Sequence, residues 1–472
     1  MHVGDLHDGP SEKRVGGSFW RLLSRALSDA FGRPSAHDQP VTYFPAPDIR
    51  PPRDSTRSTL PGFQRTASDQ LNPGFGERLA LLRAKLLSAY TPARPVVDRR
   101  MFAGRTGIMQ TLIHAIEEQR LHVVIYGERG VGKSSLLHLV SQAAKEASYL
   151  VAYIDCGQRS EFDETFRALA SHIPLMFHSA YGPTSTESEH GHTLASLLGP
   201  DPMTVGTAVE ALAKIEGTRV LLILDDFDHT GSEDFRYKIA ELLKSLSDQA
   251  VHVQALIAGV PAELAKLVGH VPSLHRNVLA MQVPRMVAGE IRDLLRKGEA
   301  ATDVHFEEEA VHATIVACAG SPYLAKLLSY RAALAAVEDG RRSIDADDVD
   351  ASIQVAIDEL RKTVPRQAQL QIDELTQRGQ LAVLGGLAGA AQSTGGWFTM
   401  VDVATALRDD AALLGKARVA VQTLAEQNIL VEIEDDAGDR AFRFAAPTLP
   451  DYLSLLLARS RSLPRIASAR DA

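Results

Sequence analysis

The spacing of apolar positions along this chain changes from one segment to the next, and each spacing predicts a different kind of element. Between residues 121 and 285, short apolar runs alternate with amphipathic segments. Short apolar runs are typical of strands buried on both faces, and a 3.6-residue period is typical of the helices that cover them. The alternation predicts an α/β fold with a parallel sheet. Its strands are expected near 121–126, 149–155, 219–225, 252–258 and 278–283.

After residue 285 the apolar positions follow helical spacing. Helices are expected at 287–297, 307–318, 322–338, 346–362, 367–391, 400–408 and 412–427. Two segments of alternating apolar and polar residues, 428–434 and 440–444, then flank a turn-forming stretch, which is typical of a β-hairpin. A final helix follows Pro447 and Pro450. Three helices followed by a two-stranded wing indicate a winged helix.

Before residue 97 the pattern is weaker. Residues 34–73 contain eight prolines among polar residues, a composition that buries too little apolar surface to offset the entropy of ordering. One amphipathic stretch, 18–32, interrupts this arm and is expected to pack on this protein or on a protein partner. A membrane-surface helix is the weaker alternative, because its polar face carries few basic residues. Further helices are expected at 76–90 and 107–118.

These changes in pattern predict six segments. They are a largely disordered arm with one amphipathic helix (1–75), a helical linker (76–96), an α/β core (97–285), a helical lid (286–365), a winged helix (366–460) and a disordered tail (461–472).

Composition excludes several classes of protein. The chain carries 50 basic and 59 acidic residues, a net charge of −9, so it lacks the overall basic field that many nucleic-acid binders have. Cys156 and Cys318 are its only cysteines, too few for a disulfide framework or a zinc site, and they favour a cytoplasmic setting. No run of 18 apolar residues predicts a membrane span, and the acidic N-terminus does not resemble a secretory signal.

The strongest chemical signal is the stretch Gly127–Ser134, which fits the phosphate-binding pattern G-x-x-x-x-G-K-[ST] called Walker A. Its glycines let successive backbone N–H groups point into one concavity at a helix N-terminus, where phosphate oxygens bind. Lys133 is expected to reach the β and γ phosphates, and Ser134 to coordinate Mg²⁺. The nucleotide-binding residues predicted in this loop are Gly127, Glu128, Arg129, Gly130, Val131, Gly132, Lys133, Ser134 and Ser135.

A second signal ends the third expected strand, where four apolar residues precede Asp225 and Asp226. Adjacent acids in this position form a Walker B arrangement. The carboxyl edge of an open α/β sheet is where its ligands bind, so both side chains are expected near the phosphates. Asp225 is expected to hold the Mg²⁺ shell, and Asp226 to orient or deprotonate the attacking water.

Taken in order, five motifs resemble those of prokaryotic P-loop ATPases of the AAA+ and STAND type, near the origin-recognition branch. They are Phe102–Arg105, Gly127–Ser135, Leu224–Asp226, Ser273–Arg276 and Gly320–Pro322. The resemblance covers roughly residues 97–455 and implies an additional-strand ATPase sheet, in which one strand separates the two Walker strands. It also implies a helical lid and a winged helix, with ATP bound between sheet and lid. Phe102 and Arg105 would then border the adenine, and Pro322 would belong to a Gly-x-Pro lid motif.

The chain also departs from the AAA+ pattern. Most AAA+ ATPases have Glu where this chain has Asp226, and the fourth expected strand ends at Ala258 and Gly259 without the usual polar sensor residue. These departures favour slow turnover. Arg276 is a candidate arginine finger, acting within the chain or from a neighbouring subunit, and the alternative is a surface arginine.

Three functions are compatible with this pattern, and one of them is a degenerate nucleotide binder used as a scaffold. The favoured one is an ATP-driven conformational switch that acts on a protein partner through the N-terminal arm or the winged helix, with a nucleotide-dependent oligomer as an open alternative. The third is a DNA-associated ATPase whose helix 412–427 enters the major groove through Lys416, Arg418 and Gln422. Residues 366–472 hold 11 basic and 13 acidic side chains, which is unfavourable for neutralising DNA phosphates.

Overall fold

Five apolar segments form a central parallel sheet. The computed structural model describes residues 77–470 except 93, 182, 228–229, 260–275 and 435–438, and it describes only the backbone of 77–80 and 462–470. The predicted N-terminal arm, with its amphipathic helix, lies outside these residues. The strands are β1 (His122–Tyr126), β2 (Leu150–Asp155), β3 (Val220–Asp225), β4 (Val253–Gly259) and β5 (Val278–Gln282).

The strand order is β2-β3-β4-β1-β5, and every neighbouring pair is parallel. Strand β4 therefore lies between β1, which leads into the Walker A loop, and β3, which ends in the Walker B acids. This confirms the α/β fold with a parallel sheet, and the order agrees with the additional-strand arrangement.

Helices cover both faces of the sheet, because alternate residues of each strand point to opposite sides. Leu221 and Ile223 of β3 join one hydrophobic cluster, and Leu222 and Leu224 join the other. The first cluster is covered by α2 (Thr106–Glu117) and α3 (Lys133–Glu146). The second is covered by α4 (Phe162–Ala170), α5 (Val205–Ala213) and α6 (Glu233–Asp248). Between α4 and α5 the described residues include short helical turns at Leu175–Phe177, Thr186–Glu189 and Leu194–Leu197.

The chain after the sheet is mostly helical. Its helices are α7 (Ala288–Thr302), α8 (Glu308–Cys318), α9 (Pro322–Glu338), α10 (Ala346–Thr363), α11 (Arg366–Gln377), α12 (Leu381–Thr394), α13 (Met400–Ala406), α14 (Ala411–Glu426) and α15 (Leu449–Arg470). The short parallel pair β6 (His305–Phe306) and β7 (Ser343–Ile344) lies among them, and the antiparallel hairpin β8 (Leu430–Glu434) and β9 (Arg440–Phe444) precedes α15.

Two predicted boundaries are wrong. The single helix expected at 367–391 is two helices, because Gly379 between them has a φ of +70°, a conformation that glycine adopts without steric cost and that ends a helix. The tail expected to be disordered from residue 461 continues α15 as far as Arg470. Leucine, alanine and arginine, which have high helix propensity, are frequent in this last segment.

The helix expected at 76–90 is α1 (Glu77–Tyr90), and it packs against the helices that follow the sheet. Leu86 and Tyr90 are fully buried in the core of those helices. The Tyr90 hydroxyl donates a hydrogen bond to the carbonyl of Leu295 at 3.3 Å. A Cβ atom on Gly298 would lie 2.1 Å from the Tyr90 ring, so α7 needs glycine at this position.

The helices expected as two domains, a lid and a winged helix, share one hydrophobic cluster. That cluster combines buried residues of α1, such as Leu86, with buried residues of the helices after the sheet, as far as Ala458 on α15. No helix among the described residues is both long enough and apolar enough to cross a bilayer.

Candidate functional site

The Walker A stretch forms a loop between β1 and α3, which is the strand–loop–helix setting that a phosphate-binding loop requires. Gly130 and Gly132 have φ angles of +78° and +95°, which favour glycine. A Cβ atom on Gly127 would lie 2.7 Å from the carbonyl oxygen of Val283, so this position also needs glycine. Helix α3 begins at Lys133 and directs its N-terminal N–H groups toward the loop.

The loop opens into a cavity of about 700 Å³. This volume lies within the range of roughly 300–1,000 Å³ typical of small-molecule sites. The structure brings most of the predicted nucleotide-binding residues to its wall. These are Phe102, Arg105, Glu128, Arg129, Gly130, Gly132, Lys133, Ser134, Ser135 and Pro322. Gly127 and Val131 belong to the loop but do not line this cavity, and Val131 packs into the hydrophobic cluster beneath it.

Lys133 lies against the loop that precedes it. Its ammonium group donates hydrogen bonds to the carbonyl oxygens of Gly127 at 2.9 Å and Glu128 at 3.1 Å. In the first turn of α3, the hydroxyl oxygen of Ser135 accepts the backbone N–H of Val96 at 2.9 Å. The segment before the sheet and the phosphate loop are thus joined directly.

The two Walker B acids differ in exposure. Asp225 is buried, and its carboxylate accepts the backbone N–H of Asp226 at 2.8 Å through Oδ1 and the hydroxyl of Tyr153 at 2.7 Å through Oδ2. Asp226 lines the cavity and has a φ of +50°, in the left-handed region where Asp and Asn are enriched among non-glycine residues. The turn at the end of β3 therefore places the second carboxylate toward the cavity and holds the first one behind it.

The donors at this edge fit Mg²⁺. The ion prefers oxygen ligands and keeps several water molecules, and it is usually held by one or two carboxylates together with substrate phosphates. Asp225 supplies a buried carboxylate, each oxygen of which has a second lone pair besides the one used here. Ser134 supplies a hydroxyl at the first turn of α3, on the cavity wall.

Arg105 is held firmly before α2. Its backbone N–H donates to the Glu290 carboxylate at 2.7 Å, and its Nη2 donates to the carbonyl of Pro284 at 3.0 Å. Burial lowers the pKa of this guanidinium to about 10. The nearby Phe102 is half-buried, and its carbonyl oxygen accepts a hydrogen bond from Lys297 on α7.

The structure does not bring Arg276 to the cavity. This side chain is exposed and is not among the residues that line the cavity wall. In this conformation it does not contribute a charge to the site from within the same chain. A contribution from a neighbouring subunit stays a prediction.

Arg285 is the most prominent residue that the sequence analysis missed. Its side chain is only 13% exposed and joins three parts of the chain. It donates to Glu128 of the phosphate loop at 2.7 Å, to Asp451 of α15 at 2.8 Å and to the carbonyl of Ala319 at 3.1 Å. Burial raises the pKa of Glu128 to about 7, and the positive charge of Arg285 opposes this shift.

Comparisons with known proteins agree with this geometry. The family model described as Novel STAND NTPase 1 matches residues 87–437, more than half of the chain. The chain belongs to this family. No curated protein matches it.

Among solved structures, this STAND NTPase is similar to three that cover most of its length. Cdc6p from Pyrobaculum aerophilum is 16% identical, with 80% of this chain and 98% of that chain covered and a TM-score of 0.40. The ORC2 protein of Aeropyrum pernix is 16% identical, with 78% and 99% covered and a TM-score of 0.42. The RuvB branch migration motor of Thermotoga maritima is 15% identical, with 73% and 93% covered and a TM-score of 0.35.

Further residues of this STAND NTPase line the cavity from the C-terminal side. Trp397 and Arg443 belong to this wall, and the Arg443 guanidinium lies 5.0 Å from the centre of the Trp397 ring. Lys326 of α9 lines it as well, and burial lowers the pKa of its ammonium group to about 8.

The sequence offered a signal for only one of the missed residues. Arg285 follows the end of β5 by three positions, and the carboxyl ends of parallel strands are where ligands bind. Trp397 and Arg443 belong to no recognisable motif.

Proposed function

We propose that this STAND NTPase is a nucleotide-driven conformational switch that binds ATP with Mg²⁺ and hydrolyses it slowly. One observation carries the proposal. Arg285 joins Glu128 of the phosphate loop to Asp451 of α15, and all three residues line the same cavity. A ligand that displaces the phosphate loop therefore acts on an ion pair that holds the C-terminal helix.

The phosphate loop binds the triphosphate. Its backbone N–H groups and the N-terminus of α3 supply partial positive charge where phosphate oxygens bind. The Lys133 ammonium exchanges its bonds to the carbonyl oxygens of Gly127 and Glu128 for bonds to the β and γ phosphates. This exchange is a small local movement that can begin a larger one.

Ser134 and Asp225 would hold the magnesium ion, which would supply positive charge beside the phosphate oxygens. Asp226 orients or deprotonates the attacking water. Asp226 is suited to its role because it faces the cavity, whereas Asp225 is held behind it by two hydrogen bonds. The adenine lies against Phe102, Arg105 and Pro322. All three line the cavity, the first two from before the sheet in the chain and Pro322 from after it.

Helices α12–α14 and the hairpin β8–β9 form a winged helix that contacts a protein partner. Residues 430–444 contain five acidic side chains and two arginines, so acidic groups dominate the wing even though Glu432 and Glu434 pair with Arg440. A DNA-associated ATPase is the second candidate, because Lys416 and Arg418 are exposed on α14. Salt-titrated binding to duplex DNA distinguishes the two, and tight binding that weakens steeply with salt would favour DNA.

Hydrogen exchange in the full-length protein tests the switch. We expect the amides of α15 to exchange faster with a non-hydrolysable ATP analogue than with ADP, because the analogue loosens the Arg285 bridge. The Asp226→Asn variant should bind ATP and keep the ATP-type exchange pattern over time.

The outcomes are distinct. Equal exchange in both nucleotides, when both bind, would show that no switch exists. If neither nucleotide binds, the proposed nucleotide-binding site is refuted. Hydrolysis by Asp226→Asn at the wild-type rate would leave the switch standing and refute the role of Asp226.

A further inference from the structure

The Asp225 carboxylate receives a hydrogen bond from a residue on the neighbouring strand. In the register of β2 and β3, Asp155 pairs with Asp225. Tyr153 lies two residues before Asp155, so its side chain is on the same face of the sheet as that of Asp225. Its hydroxyl reaches the carboxyl edge and donates to Oδ2 of Asp225 at 2.7 Å. Neither Walker motif includes this tyrosine.

The Tyr153 ring is itself held in place. His138 stacks on it with ring centroids 4.7 Å apart and ring planes 2° apart. His138 belongs to α3, the helix that begins at Lys133 of the phosphate loop. The tyrosine therefore connects the helix of the phosphate loop with the acid at the end of β3.

The hydroxyl remains a donor at neutral pH. A tyrosine hydroxyl ordinarily loses its proton only at about pH 10. A protonated hydroxyl beside a carboxylate can only donate its proton to it, so the direction of this bond is fixed.

We propose that Tyr153 is a positioning residue, which fixes the orientation of the Asp225 carboxylate for the magnesium ion that accompanies the nucleotide. The inference rests on the proposed function. Two donors hold the carboxylate, the N–H of Asp226 at one oxygen and the Tyr153 hydroxyl at the other. Without the hydroxyl, only one oxygen is held and the carboxylate can rotate. Mutation of a residue that hydrogen-bonds to a metal ligand typically lowers metal affinity or activity by roughly 10–100-fold.

The variant Tyr153→Phe tests this role in the full-length protein, because it keeps the ring on His138 and removes only the hydroxyl. The measurement is the affinity for a fluorescent ATP analogue as Mg²⁺ is titrated. We expect the Mg²⁺ concentration at half-maximal effect to rise roughly tenfold, with unchanged affinity in the absence of Mg²⁺. Tyr181→Phe, in the loop between α4 and α5, is the matched control and should leave the titration unchanged.

A second variant, His138→Leu, keeps the hydroxyl and removes the stacked ring. Its midpoint should rise by a smaller factor than in Tyr153→Phe, and a larger rise would contradict the assignment to the hydroxyl. An unchanged midpoint in Tyr153→Phe, with or without a lower melting temperature, would show a packing role alone and overturn the inference. Failure of the wild-type protein to bind the analogue at any Mg²⁺ concentration would instead refute the proposed function.

Discussion

The sheet and the helices that follow it bury their apolar side chains in different ways. The sheet has two clusters, one on each face, and alternate residues of a strand such as β3 enter one or the other. The helical region has a single cluster, which collects residues from α1, before the sheet, and from α7 to α15, after it. The sheet is thus assembled from one continuous segment, and the helical region from both ends of the described chain.

This difference explains the position of the cavity. One wall comes from the sheet, through the phosphate loop, and the other comes from the helical region, through residues such as Pro322 and Trp397. Since a nucleotide in this cavity would contact both regions, its binding can change how they fit together. Substitutions on the sheet side, at the boundary and on the helical side test this separately.

Lys133→Ala should have the largest effect, because it removes the charge on the sheet side of the cavity. Truncating one partner of a buried charged pair costs about 2–5 kcal/mol or more, and we expect roughly a thousandfold loss of ATP affinity. Equilibrium titration with a fluorescent ATP analogue measures it. Lys145→Ala, at the exposed end of the same helix, is the control and should bind as the wild-type protein does. If Lys133→Ala binds ATP as tightly as the wild-type protein does, the phosphates do not bind at this loop.

Arg285→Gln disturbs the boundary between the regions. It leaves Glu128 and Asp451 without their shared partner, and breaking a buried ion pair costs about 3 kcal/mol of unfolding free energy. Urea denaturation measures this cost, and faster exchange of α15 amides should accompany it. Arg292→Gln removes a more exposed ion pair with Glu308 on the same helical layer and should change little. Equal effects of the two variants would show that Arg285 has no special coupling role.

Gly298→Ala tests the helical side. The new methyl group would clash with the Tyr90 ring, and overpacking of this kind costs about 2 kcal/mol. Gly289→Ala lies on the same helix with nothing within 4 Å of the added atom, so it is a matched control without the clash. Thermal unfolding of both variants gives the comparison. If Gly298→Ala were as stable as the control, α1 would not pack on α7 as described here.

The smallest effect should appear as a dependence on pH. The pKa of Glu128 is raised to about 7, so its carboxyl group gains a proton as pH falls from 8 to 6. Protonation removes a negative charge near the phosphates, and affinity for ATP should rise roughly fivefold, about 1 kcal/mol. The raised pKa of Glu128 also means that the native state binds this proton more readily than the unfolded state does. The free energy of unfolding should therefore increase as pH falls.

Glu128→Gln separates this effect from titration of the nucleotide itself. The variant carries no charge at either pH, so it should bind ATP tightly at pH 8 and show a smaller change on acidification than the wild-type protein. The same isothermal titrations measure both proteins. An identical pH dependence in the two would assign the effect to the nucleotide.

The sheet side of the molecule could be predicted from sequence because its signals are local. The strand ends, the glycines of the phosphate loop and the pair Asp225–Asp226 each lie within a few neighbouring residues. Helix α9 begins at Pro322 as expected, since proline suits the first position of a helix. Gly379 was also a readable signal, and it should have divided the helix expected at 367–391.

The helical side could not be predicted because its decisive contacts join distant residues. Periodicity shows that α1 has an apolar face, but it does not show which helix covers that face. Arg285 and Asp451 are 166 positions apart, and no local pattern connects them. Tyr153 looked like an ordinary strand residue, because only the register of β2 against β3 brings its hydroxyl to Asp225.

The single helical cluster also has a consequence for biosynthesis. Helix α1 leaves the ribosome early, but Tyr90 is separated by 205 positions from Leu295, the residue on α7 that accepts its hydrogen bond. At translation rates of about 5–20 residues per second, α1 waits roughly 10–40 seconds for this partner, with an apolar face exposed. The sheet can form in that interval from residues already made. A nascent chain stalled before α7 should therefore contain an ordered sheet preceded by a helix that chaperones can bind.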